Sequence, residues 1–195
     1  MSSNIELLFI FLLIFANAIF VMSELAIVSA RKVRLQQLAE RGNAKAKAAF
    51  ELASSPTEFL GTVQVGITLI TIIAGAFGEE IIAQRISPIL NFIPTYKVQL
   101  ARGIAVLIIT FLAIILGELV PKRLALNHPE TIASIVALPM KGLVKIASPI
   151  VCLLSFFTDA TVRLLGIKPS TEPQITEEEI KVLIEQGTEE GTFEE

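Results

Sequence analysis

The sequence predicts an all-α integral membrane protein, with three transmembrane helices and an interfacial helical hairpin forming a belt on the cytoplasmic side. Three observations carry this. Hydrophobic residues make up 53% of the 195 and charged residues only 18%, against about 45–50% and roughly 25% in soluble domains. The apolar residues are concentrated: stretches 7–22, 59–78 and 103–117 hold no Asp, Glu, Lys or Arg, and about 20 mainly apolar residues suffice for a helix to cross the hydrocarbon core. Basic residues then gather at one set of span ends, the bias that sets orientation.

The first span, about 3–30, is expected to start at Ser3 with Glu6 three residues on, a capping box, and to end at Arg31, Lys32 and Arg34. Ala16-Asn17-Ala18 resembles a signal-peptide cleavage site, but the leader carries Glu6 and no basic residue, so a retained span is expected. The connector 31–55 adds Arg41, Lys45 and Lys47 to those three basic residues. Its Ala, Leu and Lys content predicts a helix along the membrane surface.

Ser55-Pro56-Thr57-Glu58 opens the second span, 56–84, with a Ser cap, Pro at the first helical position and an acid in the first turn. The third span, 100–120, closes at Pro121-Lys122-Arg123. Its basic flank and that of the connector place both on the cytoplasmic side of a cell inner or plasma membrane, with the N-terminus outside and the C-terminus inside.

Interfacial helices are expected over 131–165; the segment 132–157 within it is apolar enough to cross, but it holds Pro139 and Pro149, and Lys141 and Lys145 between them. Crossing would bury each lysine at about 2.5–3.5 kcal/mol. A kinked hairpin at the cytoplasmic interface with snorkelling lysines avoids that cost; the alternative, a fourth span, would put the acidic tail outside. Residues 1–168 thus read as a transmembrane domain. The tail 171–195 has a net charge of −8 and the first 170 residues +5, which argues against a nucleic-acid partner. In it, Thr176, Glu177 to Glu179 and Gly187 delimit one helix, and 169–195 is expected to link to a further soluble domain. The single cysteine, Cys152, cannot form an intrachain disulfide and suits a small buried hydrophobe.

Three polar features lie within the spans. Asn17 and Glu24, seven apart, share a helix face, and Ser23 sits on an adjacent one; an acid inside a span normally faces protein or water, or Glu24 pairs with a basic residue at the span end. Gly61, Gln64, Thr68, Thr71, Gly75 and Gly78 recur every three or four residues along span two. Such stripes let membrane helices pack closely; Gln64 and Thr68 add oxygens that could be ligands. The third feature is Gly117-Glu118-Leu119-Val120-Pro121-Lys122. Pro121 has no N–H, so the Gly117 carbonyl loses its helical donor beside the Glu118 carboxylate, and two such oxygens at a helix break suit a hard cation. The plainer alternative is a helix end with Glu118 paired to Lys122 at i+4.

One histidine, His128, and one cysteine exclude a soft or imidazole-rich site within one chain. Carbonyl, amide, hydroxyl and carboxylate oxygens suit Mg²⁺, Mn²⁺ or Ca²⁺. No Ser–His–Asp set, phosphate loop or glycine-rich nucleotide motif is present, so no enzyme is expected.

The run Asn17-Ala18-Ile19-Phe20-Val21-Met22-Ser23-Glu24-Leu25-Ala26-Ile27-Val28 with the basic residues after it, Gly61-Thr62-Val63-Gln64-Val65-Gly66-Ile67-Thr68, and Gly117-Glu118-Leu119-Val120-Pro121-Lys122-Arg123 together resemble the CNNM/CorC family of magnesium transporters, in order and spacing and over nearly the whole chain. The resemblance implies a homodimer of three-span protomers, each with an inward-facing cation site, Mg²⁺ export coupled to Na⁺ entry, and a tail leading to a CBS-pair domain. It makes Glu118 and the Gly117 carbonyl metal ligands, with hydroxyl or amide contributions from the first two spans; in this sequence the candidates for those are Ser23, Gln64 and Thr68, with Glu24, Asn17 and Thr71 as candidates for supporting positions. The sequence departs where animal members carry a small-hydroxyl pair, Val21 here, and an Asn, aligned with Thr68. Two rivals remain at this point. A polyamine exporter of the same fold would want aromatic walls, and the chain has no Trp and one Tyr. A membrane ion sensor that transports nothing would pass no flux.

Overall fold

The computed structural model describes residues 3–91 and 95–166. Seven α-helices follow in order: α1 (Ser3–Ser29), α2 (Lys32–Glu40), α3 (Ala44–Ser54), α4 (Pro56–Ile86), α5 (Lys97–Ile114), α6 (Val120–Asn127) and α7 (Pro129–Leu164). A 3₁₀ turn, Ser87–Leu90, follows α4, and a π-helical turn, Ile115–Leu119, joins α5 to α6. The chain divides into two compact units between Leu154 and Ser155.

Four stretches are long and apolar enough to cross a membrane: Asn4–Ser29, Pro56–Leu90, Lys97–Asn127 and Pro129–Leu164. Leu8, Phe15, Ile72, Leu107 and Phe111 stand exposed on α1, α4 and α5. So much bare apolar surface is stable only against lipid. The protein is membrane-embedded.

In the first unit, α4 packs against both α1 and α5, and α1 also meets the π turn and α6. Close approach is bought by small residues. A Cβ on Gly78 would lie 2.2 Å from Ile109 Cδ1 of α5, and one on Gly66 2.7 Å from the Phe20 ring of α1. α4 begins where expected, with Ser55 before it and Pro56 in its first turn, although the Ser55 side chain makes no capping bond.

The connector forms two helices rather than one. Gly42, at φ +87°, takes the left-handed conformation that suits glycine, and Asn43 then caps α3 by accepting from the N–H groups of Lys45 and Ala46, both at 3.1 Å. Ala48, Ala49, Leu52 and Ala53 of α3 join Ala26, Ile27 and Leu35, Phe59 and Val63 of α4, and Ala133, Val136, Ala137 and Met140 of α7 in one core cluster.

The expected hairpin over 131–165 is instead part of one continuous helix, α7, running through Pro139 and Pro149. Each proline costs one intrahelical hydrogen bond, but packing of Ala133, Val136, Ala137 and Met140 on one face holds the axis together on either side of Pro139. Three contacts tie α7 to the connector and the start of α4. Glu130 accepts from the Arg31 N–H at 3.4 Å and pairs with Arg34 at 3.7 Å, Lys141 pairs with Glu51 of α3, and Val151 packs on Gly61, where a Cβ would come within 2.9 Å. The Lys141 ammonium, by hydrogen bond and charge, holds the Glu51 carboxyl below the usual carboxylate range.

In the second unit the described residues continue α7 to Leu164, with Phe156 and Phe157 edge to face at 5.7 Å between centroids. The tail helix expected over 176–187 lies outside the described residues.

Candidate cation site

A cavity of about 220 Å³ lies among α1, α4, α5 and the π turn, mid-length along the first three apolar stretches. Its walls are mostly Leu, Ile and Ala; its polar lining is Asn17, Thr71, Thr110, Gly117 and Glu118.

The π turn creates the chemistry. Val120 N–H donates to the carbonyl of Ile115, five residues back; the usual α pattern uses four. The surplus residue lets the helix pass the position where Pro121 offers no donor, and π turns of this kind recur at functional sites. The Gly117 carbonyl, expected to lose its partner, accepts a hydrogen bond from Asn17 Nδ2 of α1 at 3.3 Å. Gly117 itself is buried, and a Cβ there would sit 3.2 Å from that same nitrogen, a tight contact that would push the Asn17 amide by a few tenths of an ångström. Asn17 Oδ1 is buried and has no hydrogen-bond partner among the described residues. An unpaired buried carbonyl costs about 1–3 kcal/mol, and Asn17 is among the residues that line the cavity.

Glu118, the next residue, also lines the cavity, and its Oε1 accepts from Lys122 Nζ at 2.5 Å. The plainer alternative for this acid, an i+4 pair, is therefore present as well as the cavity. Among the described residues no three His, Cys, Asp or Glu side chains gather around one point. A cation here would meet one carboxylate and a set of neutral oxygens.

Of the residues singled out from the sequence, Gly117, Glu118, Asn17 and Thr71 come together at this cavity. Ser23, Gln64, Thr68 and Glu24 do not line it. Ser23 is fully buried and donates to the Ile19 carbonyl of its own helix at 2.6 Å. Glu24 is half-buried and forms no ion pair among the described residues, so the alternative of a basic partner at the span end is not seen there. Gln64 and Thr68 are exposed on α4. The stripe from Gly61 to Gly78 repeats every 3.4 residues on average, and at 3.6 residues per turn it winds about 100° around the helix over its length. Only its Thr71–Gly75 portion meets the cavity. Thr110 was not foreseen, yet it is the one hydroxyl in the uncharged run 103–117.

The sequence model of the cyclin M (CNNM) transmembrane N-terminal domain matches residues 7–195. The chain belongs to the CNNM family. A UPF0053 protein of Synechocystis sp. is 51% identical across 100% of this CNNM chain and 44% of its own length. A UPF0053 protein of Bacillus subtilis is 32% identical across 96% of the chain and 45% of its own. The polyamine export protein of Haemophilus influenzae is 30% identical across 93% and 42%. The CNNM chain thus spans less than half the length of these relatives.

Proposed function

We propose that this CNNM domain carries a divalent cation, Mg²⁺, across the bilayer by alternating access, exporting it in exchange for Na⁺ entry. The observation that carries the proposal is the π turn, which presents the Glu118 carboxylate and the Gly117 carbonyl at a lipid-bounded cavity, beside an unpaired Asn17 oxygen. Hydroxyls of Thr71 and Thr110 complete an all-oxygen donor set within apolar walls, the kind of ligand a hard cation selects. Mg²⁺ dehydrates reluctantly, and this lining leaves room for it to keep part of its water. Ser23, Gln64 and Thr68 stand as ligands only in a second conformation that brings them round to the cavity.

α7 fits the interfacial belt of the three-span arrangement. Its partners, Arg31, Arg34, Glu51 and Gly61, all belong to the connector or to the α4 start that follows it. A crossing helix would carry Lys141 away from that end. The exposed Gln64 and Thr68 suit the contact between two protomers of a homodimer, with N-termini outside and C-termini in the cytoplasm leading to a CBS-pair domain.

The name of the Haemophilus influenzae relative supports a second cargo, a polyamine. Against it, no aromatic residue lines the cavity, and aromatic faces are what alkylammonium groups favour. Flux from proteoliposomes tests both. Glu118→Gln should abolish Mg²⁺ efflux in a protein that still purifies as a folded dimer. Undiminished efflux by that variant would remove the site, and spermidine efflux without Mg²⁺ efflux would replace the cargo. A pure sensor would pass neither.

A further inference from the structure

The ion pair at the cavity joins Glu118 of the π turn to Lys122 in the first turn of α6, and each is the other's sole charged partner among the described residues. We infer that Lys122 is a tethered counter-ion that occupies the Glu118 carboxylate until a dication displaces it, and so sets the affinity of the site. The inference rests on Glu118 being a cargo ligand.

Three features support it. First, a bare carboxylate in a lipid-bounded core is costly, and the ammonium removes that cost between cargo ions. Second, Lys122 is 43% exposed and Glu118 47%, so the four-carbon stem can withdraw its charge to the polar side without being pulled through packed side chains. Third, the competition is winnable. The ammonium brings one charge to 2.5 Å. Mg²⁺ brings two charges to about 2.0–2.1 Å, which by Coulomb's law is about 2.4 times the attraction at equal dielectric. Loss of the ion's water offsets much of that gain, so the lysine is a real competitor. A monovalent cation carries no more charge than the ammonium already there, and the pair therefore favours dications.

Calorimetric titration of Mg²⁺ into the full-length protein in nanodiscs tests this. Lys122→Gln should bind Mg²⁺ about two- to fivefold more tightly, the span expected for a partly exposed pair. Lys122→Arg keeps a competing charge and should match the parent. Arg123→Gln removes an exposed charge one residue on, and should also match the parent if pairing, not bulk charge, matters. Lys122→Met serves if Gln perturbs the helix. Glu118→Gln should bind no Mg²⁺. Equal or weaker binding by Lys122→Gln, or equal tightening in Arg123→Gln, overturns the counter-ion role while the Glu118 site stands. Parent-like binding by Glu118→Gln overturns both.

Discussion

Asn17→Ala separates the demands of folding from those of the site. The substitution removes the 3.3 Å bond to Gly117 and leaves that carbonyl bare, a cost of about 1–3 kcal/mol. It also removes the buried, unpaired Oδ1, a gain of the same order, and alanine favours a helix by up to about 0.7 kcal/mol over asparagine. These terms nearly cancel, leaving a net change within about 1 kcal/mol, or roughly 2–4 °C in Tm for a chain of this size. The cavity fares differently, because it loses a neutral oxygen and the clasp that aims the Gly117 carbonyl. One ligand worth about 1.4 kcal/mol is tenfold in affinity. The expected outcome is Mg²⁺ efflux from proteoliposomes reduced about tenfold or more, at a nearly unchanged melting temperature. Parent-like flux would refute the reasoning, and so would a drop of 10 °C, which would make Asn17 a plain structural clasp.

Other outcomes follow from single contacts. Gly78→Ala should destabilise by about 1–3 kcal/mol through overpacking, because its Cβ falls 2.2 Å from Ile109 Cδ1; Ile109→Val deletes that atom, so thermal melts of the double variant should recover part of the loss. The Glu51 carboxyl is held below its ordinary range by Lys141, so the α3–α7 tie is fully present above the ordinary carboxylate pKa. It fades as pH falls through the lowered value, and the protection of α3 amides, after correction for the intrinsic pH dependence of exchange, should fall there in the parent but stay constant in Glu51→Gln. Thr68→Cys should cross-link two protomers in membranes if the exposed α4 face is the homodimer contact, while Leu69→Cys, exposed at nearly the same depth but about 100° round the helix, should not.

Much of the fold was legible because membranes leave the chain few options. The uncharged runs predicted the cores of α1, α4 and α5, and Pro56 marked the start of α4 to the residue. The segment after Val120 was harder. Two prolines suggest a hairpin where packing of Ala133, Ala137 and Met140 keeps one helix. At the site, Pro121 announced a missing donor at Gly117, a purely covalent inference. That a π turn would absorb the break, and that Asn17, a hundred residues earlier, would take the carbonyl, depends on tertiary approach that no local pattern encodes. Gln64 and Thr68 share the face of Thr71 and Gly75 but lie about 10.5 and 4.5 Å from Thr71 along α4, at the rise of about 1.5 Å per residue, and spacing alone does not give the depth at which the cavity lies. Ser23 satisfied its hydroxyl at home, which spacing alone does not reveal.

The π turn between α5 and α6 has a bearing on which changes in length the protein tolerates. One surplus residue turns everything beyond it by about 100° and advances it by about 1.5 Å relative to an unbroken α-helix. Excising any single residue from Ile115–Leu119 would restore the plain helix and rotate Pro121, Lys122 and the whole of α6 away from α1. Chains that keep this architecture are therefore held to a fixed count of residues there.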